Sequence, residues 1–150
     1  MYQRILVPVD GSSTAEDALN EAIKLTQYHH AEVDLVHVLE DVGYVDEENY
    51  LNYVELRDSM KSSGERILAQ AQQKLNRAGL NVRCTLLEAH GERTANVIST
   101  AANNLLADLI IIGTHGRTGF NRMLMGSVAE GVVRTAHIPI LPIRGSAIDR

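Results

Sequence analysis

The sequence predicts an α/β fold: a single domain of 150 residues built on an open, five-stranded parallel sheet with helices on both faces. Three observations carry this reading. Five short apolar runs recur along the chain, and an amphipathic helical pattern separates each from the next. Three of the runs are nearly continuous Val, Ile and Leu, which is how a strand buried on both faces reads.

The runs are Ile5-Leu-Val-Pro-Val9, Val33-Asp-Leu-Val-His-Val-Leu39, Val82-Arg-Cys-Thr-Leu-Leu87, Leu109-Ile-Ile-Ile112 and Ile138-Pro-Ile-Leu-Pro-Ile143. Between the first two, Ala15, Ala18, Leu19, Ala22 and Ile23 follow the spacing of one buried helical face. Ser13 and Glu16 stand in front of them at capping-box spacing. Residues 41–55 mix Asp41, Asp46, Glu47, Glu48 and Glu55 with Tyr44, Tyr50 and Tyr53, and read as a polar connection. Met60, Gly64, Ile67, Leu68, Ala71 and Leu75 form a second stripe, ended by Gly79. Val97, Ile98, Ala101, Ala102 and Leu105 form a third. Val128, Ala129, Val132, Val133 and Ala136 form a fourth, with Ser127 as its N-cap and Glu130 completing a capping box. The order β-α-β-α-β-α-β-α-β implies right-handed crossovers and a parallel sheet.

Composition narrows the function. The chain is acidic, with a formal net charge of −5, and aromatic residues are 4% with no Trp. Both features argue against a nucleic-acid binder, which needs clustered cations or stacking platforms. One cysteine, Cys84, forms no intrachain disulfide and reads as a small buried hydrophobe. No apolar stretch approaches membrane-spanning length, and the N-terminal residues show no long signal core, so a cytoplasmic location is expected.

Against that acidic background, Gly113-Thr-His-Gly116-Arg-Thr-Gly119-Phe-Asn-Arg-Met-Leu-Met-Gly126-Ser127 stands out. It holds Arg117 and Arg122, and no Asp or Glu occurs between Asp108 and Glu130. A strand that ends in glycines and feeds a helix N-terminus leaves backbone N–H groups and a positive dipole end for an anion. In an open parallel sheet, ligands sit beyond the carboxyl ends of the strands where strand order reverses. The ends of the first and fourth strands, Asp10-Gly11-Ser12 and Gly113-Thr114-His115-Gly116, should face each other there. Asp10 suits the hydroxyl or amino groups of a nucleoside. The Gly126 and Ser127 N–H groups and the Ser127 hydroxyl suit phosphates. His37, within the second strand, reads as a satisfied core or edge residue. No Walker-type lysine loop and no Gly-x-Gly-x-x-Gly after the first strand are present. No Cys/His spacing marks a zinc site.

The spacing Gly113-x2-Gly116-x9-Gly126-Ser127 resembles the nucleotide loop of the ATP-binding branch of the universal stress protein family. Leu6-Val-Pro-Val-Asp-Gly-Ser12, the His37-Val38 pair, Gly126-Ser-Val-Ala129 and the Ile138–Ile143 segment match in order, so the resemblance covers essentially the whole chain. It implies a Rossmann-like, adenine nucleotide α-hydrolase-like fold with strand order 3-2-1-4-5 and ATP in the 1/4 crevice. By the same analogy, Pro8, Val9 and Asp10 line the nucleoside side and the Val38 backbone meets the adenine edge. Gly113, His115, Gly116 and Arg117 wrap ribose and phosphates, and Gly126, Ser127 and Val128 hold the phosphates. Ser12 and Ile112 complete the candidate cofactor-binding set. Mg²⁺ arrives with ATP. The implied role is a regulatory stress-response module in which nucleotide occupancy biases partner contacts. A homodimer through the last strand is also implied, though Pro142 removes a backbone donor from that strand.

Phosphoryl transfer needs metal ligands, a positioned nucleophile and donors aimed at developing charge. No paired carboxylates lie near the loop, so no catalytic residue is assigned and a binding module is expected rather than an enzyme. Slow hydrolysis or autophosphorylation, with Ser127 or Thr118 as acceptor, stays open, as does a nucleotide-independent interaction protein.

Overall fold

A computed structural model describes residues 2–41, 48, 50–114 and 126–145. Five strands and four helices alternate: β1 (Arg4–Pro8), α1 (Ser13–His29), β2 (Glu32–Leu39), α2 (Tyr50–Arg77), β3 (Val82–Glu88), α3 (Thr94–Asn104), β4 (Leu109–Gly113), α4 (Ser127–Thr135) and β5 (Ile140–Ile143). The sheet order is β3-β2-β1-β4-β5, and every pair is parallel. This is the predicted Rossmann-like architecture.

Strand alternation sorts the apolar side chains into two layers. Ile5, Val7, Val33, Leu35, Leu109 and Ile111 pack with Ala18, Leu19 and Ala22 of α1 and Leu68, Ala71 and Leu75 of α2. Leu6, Val36, Ile110 and Ile112 pack on the other face with Ile98, Ala101 and Ala102 of α3 and Ala129 and Val132 of α4. Strands β1, β2 and β4 lie between both layers, which is why they are written in nearly continuous Val, Ile and Leu, with Asp34 and His37 the breaks within β2.

Three boundaries differ from expectation. The α1 cap is Ser12, not Ser13: the Ser12 hydroxyl accepts from Ala15 N at 3.2 Å. The Asp10 carboxylate accepts the Ser12 N–H at 2.9 Å, which fixes the turn one residue early. The N-cap of α4 is Gly126, with no side-chain bond, so Ser127 is the first helical residue rather than the cap. Helix α2 begins at Tyr50, inside the segment read as a connection. Its first turns expose Tyr50, Leu51 and Leu56 and bury nothing fully before Gly64, so no apolar stripe announces them. The other end of α2 is as predicted. Gly79, at φ +85°, closes a Schellman motif in which Leu80 N donates to Leu75 O and Gly79 N to Asn76 O.

Candidate functional site

The strands part at the predicted switch point. Strands β1 and β4 are paired only at Ile5–Leu109 and Leu6–Ile110. Beyond this, Val9 N bonds the Val36 carbonyl of β2 at 2.8 Å, so the end of β1 leans toward β2 and away from β4. A cavity of about 480 Å³ opens above the gap, on the carboxyl ends of the strands.

Ten of the candidate residues line it: Pro8, Val9 and Asp10 after β1, Ser12 at the start of α1, Val38 on β2, Ile112 and Gly113 on β4, and Gly126, Ser127 and Val128 at the start of α4. His115, Gly116 and Arg117 lie outside the described residues, as does Thr118.

The cavity wall is chemically polar at two places. Its carboxylates, Asp10 and Glu40, stand on the β1/β2 side. The N-terminus of α4 stands on the β4 side. Gly126 N donates to the Thr114 carbonyl at 2.5 Å, which ties α4 to the end of β4. That bond corrects one expectation, because the Gly126 N–H is not left for an anion. The amides of Ser127, Val128 and Ala129 precede the first helical bond, Glu130 N to Gly126 O, and have no helical carbonyl as partner among the described residues.

Several lining residues have no signal in the local sequence. Met60 and Ser63 arrive from α2, and Thr94 and Ile98 from α3, by helix packing alone. Thr14 lines the cavity from α1 while its side chain packs against Gly113, and its Oγ1 lies 3.3 Å from Ser12 Oγ. Glu40 accepts from Thr94 Oγ1 at 2.9 Å. His37 is half-buried and satisfied, as read from its strand position, but it also lines the cavity. Its Nδ1 lies 2.7 Å from the Val9 carbonyl.

Among the described residues no three His, Cys, Asp or Glu side chains are placed to hold a metal ion. No helix among them is long and apolar enough to cross a membrane. Cys84 stands apart from the cavity, and burial raises its thiol pKa above the ordinary value.

A parallel sheet of order 3-2-1-4-5 with its cavity at the 1/4 switch point defines a Rossmann-like α/β domain. Within that class the chain belongs to the universal stress protein family, whose model matches residues 1–144. A universal stress protein of Methanocaldococcus jannaschii is 31% identical over 144 residues, spanning 96% of this chain and 83% of that protein. Among solved structures, a universal stress protein family member from Burkholderia pseudomallei is 34% identical with a TM-score of 0.76, covering 96% of this chain and 97% of the other. The universal stress protein of Archaeoglobus fulgidus, solved in complex with dAMP, is 26% identical with a TM-score of 0.69, covering 95% and 98%.

Proposed function

We propose that this universal stress protein is a regulatory stress-response module that binds ATP with Mg²⁺ in the cavity between β1 and β4, and that occupancy biases its contacts with a protein partner or a second copy. The polarity of the cavity carries the reading. Asp10 lies at one side, able to accept from ribose or base, and the α4 amides lie at the other, able to donate to phosphate. The dAMP complex of the Archaeoglobus relative supports an adenine nucleotide as the ligand class. Mg²⁺ is carried by the phosphates in this proposal. No side chain is assigned to phosphoryl transfer, and turnover is slow or absent. The second copy docks on the outer edge of β5.

Calorimetric titration with Mg-ATP and adenosine tests the assignment. Gly126 has φ −64° and ψ 158°, a conformation open to any residue, so Gly126→Val keeps the fold while its side chain crowds the α4 amides. ATP binding is lost in that variant. Asp10→Ala weakens ATP and adenosine alike, and Ser127→Ala weakens ATP more than adenosine. Undiminished ATP binding by Gly126→Val overturns the phosphate assignment.

A further inference from the structure

We infer that Glu40 is a specificity-determining residue: its carboxylate, fixed by Thr94, makes the nucleoside end of the cavity reject ligands that carry a second phosphate on the ribose. The ligand class rests on the nucleotide-binding reading above, and the charge filter is added to it.

Glu40 follows the last residue of β2 and lines the cavity on the β1/β2 side. Its Oε1 accepts from Thr94 Oγ1 at 2.9 Å, and Thr94, the first residue of α3, lines the cavity as well. The next side chain, Asp41, accepts the Gly91 N–H at 2.5 Å. Two consecutive carboxylates thus pin the end of β2 to α3 and to the turn before it.

Both donors are neutral. By contrast, the Asp34 carboxylate is paired with Arg83, and Glu88 with Arg57. Among the described residues no Lys, Arg or His forms an ion pair with Glu40. None of the described residues that line the cavity is a Lys or Arg. A hydroxyl fixes a carboxylate in place without cancelling its charge, so Thr94 holds an uncompensated negative charge at this wall.

The phosphates of a 5′-nucleotide go to the α4 amides, on the side away from Glu40. Free ribose hydroxyls bring no charge to the nucleoside end. A phosphate on the 3′-hydroxyl brings about two negative charges there. At a separation of roughly 6 Å in a water-like dielectric, repulsion by one carboxylate amounts to about tenfold in affinity.

The experiment is calorimetric titration of the full chain with AMP and with adenosine 3′,5′-bisphosphate, in the wild type and in Glu40→Gln, at about 10 mM and about 1 M salt. The wild type binds AMP about tenfold or more tightly than the bisphosphate at low salt. The gap closes at high salt, where the screening length falls from roughly 30 Å to roughly 3 Å. Glu40→Gln keeps an oxygen for Thr94 Oγ1 and removes the charge, so at low salt the gap narrows about tenfold. The readout is the ratio of the two affinities, which a general weakening of the site does not move. The salt dependence of the wild type stands even if the glutamine variant fails to fold. Equal binding of both ligands by the wild type at low salt, a gap that salt leaves unchanged, or the same gap in a folded Glu40→Gln protein overturns the inference while AMP binding still upholds the nucleotide reading. No binding of AMP by the wild type overturns both.

Discussion

Gly113 and Thr14 approach so closely that a Cβ on Gly113 would lie 2.8 Å from the Thr14 backbone carbonyl carbon and 2.8 Å from its Oγ1. Helix α1 thus rests directly on the backbone at the end of β4. The glycine is needed here for packing, whatever the cavity binds. Gly113→Ala is expected to destabilise the protein by about 1–3 kcal/mol, since the neighbour it strikes is main chain and cannot swing aside. Thr14→Ala in the same molecule does not restore stability, because the carbonyl carbon stays in place. Thermal melts of the single and double variants check this; recovery in the double variant would locate the clash in the side chain instead.

Asp108 joins the starts of β1 and β4. Its carboxylate accepts Gln3 N at 2.9 Å and Arg4 N at 3.1 Å, and its own N–H donates to Arg4 O at 2.9 Å. Asp108→Ala leaves two backbone donors without this acceptor at the sheet's lower rim, and is expected to cost about 1–2 kcal/mol. The site lies at the opposite end of the strands, so nucleotide affinity stays unchanged. A denaturation midpoint and a titration on the same variant separate the two effects.

How much of this was legible in the sequence depends on where each residue gets its partner. Strands β1, β2 and β4 were readable because burial on both faces leaves few polar positions, Asp34 and His37 of β2 being the ones that interrupt the apolar run. The cavity residues at strand ends were readable because Asp10 and Gly113 follow those strands directly. Met60 and Ser63 were not. They lie on or beside a stripe that predicts core, and only the way α2 crosses the sheet turns them to the cavity. Caps were displaced by one residue where two candidates are adjacent. Ser12 prevails over Ser13 through the Asp10 bond, and Gly126 over Ser127 through the Thr114 carbonyl. His37 was readable as satisfied, but its acceptor is 28 residues away and no local pattern identifies it.

Cys84 makes alkaline stability a test of burial. Its folded pKa is raised by desolvation, so the native state holds the thiol proton more tightly than the unfolded chain. Below the unfolded thiol's pKa, roughly 8.5, both states are protonated and this group adds no pH dependence. As pH rises from there toward the folded value, the unfolded chain ionises first and stability falls. Urea melts across that window should slope downward more in the wild type than in Cys84→Ala. A thiol reagent at neutral pH should label the native protein slowly and the unfolded chain fast. Parallel slopes in the two proteins would mean the thiol is solvated.

The outer edge of β5 sets the terms for the proposed homodimer. Ile110 N donates to Pro139 O and Thr114 N to Ile143 O, so odd-numbered residues of β5 address β4. Ile140 and Pro142 therefore face outward, and the proline's missing donor falls on the free edge, where it costs the chain's own ladder nothing. An antiparallel copy centred on Ile140 pairs that residue with its counterpart through two bonds, both of which Pro142 leaves intact. Centring on Leu141 forms two Ile140–Pro142 pairs, and the missing proline donor cuts their four bonds to two, both donated by the Ile140 N–H. In either register the surviving bonds are those that the Ile140 N–H donates. Ile140→Pro removes the donor that matters, again without touching the β4–β5 ladder. Losing two bonds worth about 1 kcal/mol each weakens dimerisation roughly 30-fold. Pro142→Val adds donors and, by allowing the second register, tightens it or leaves it unchanged. Sedimentation equilibrium of the three proteins reads these shifts. An Ile140→Pro variant that dimerises like the wild type would move the interface off β5, and a wild type that stays monomeric at all concentrations would remove the second copy from the proposed function.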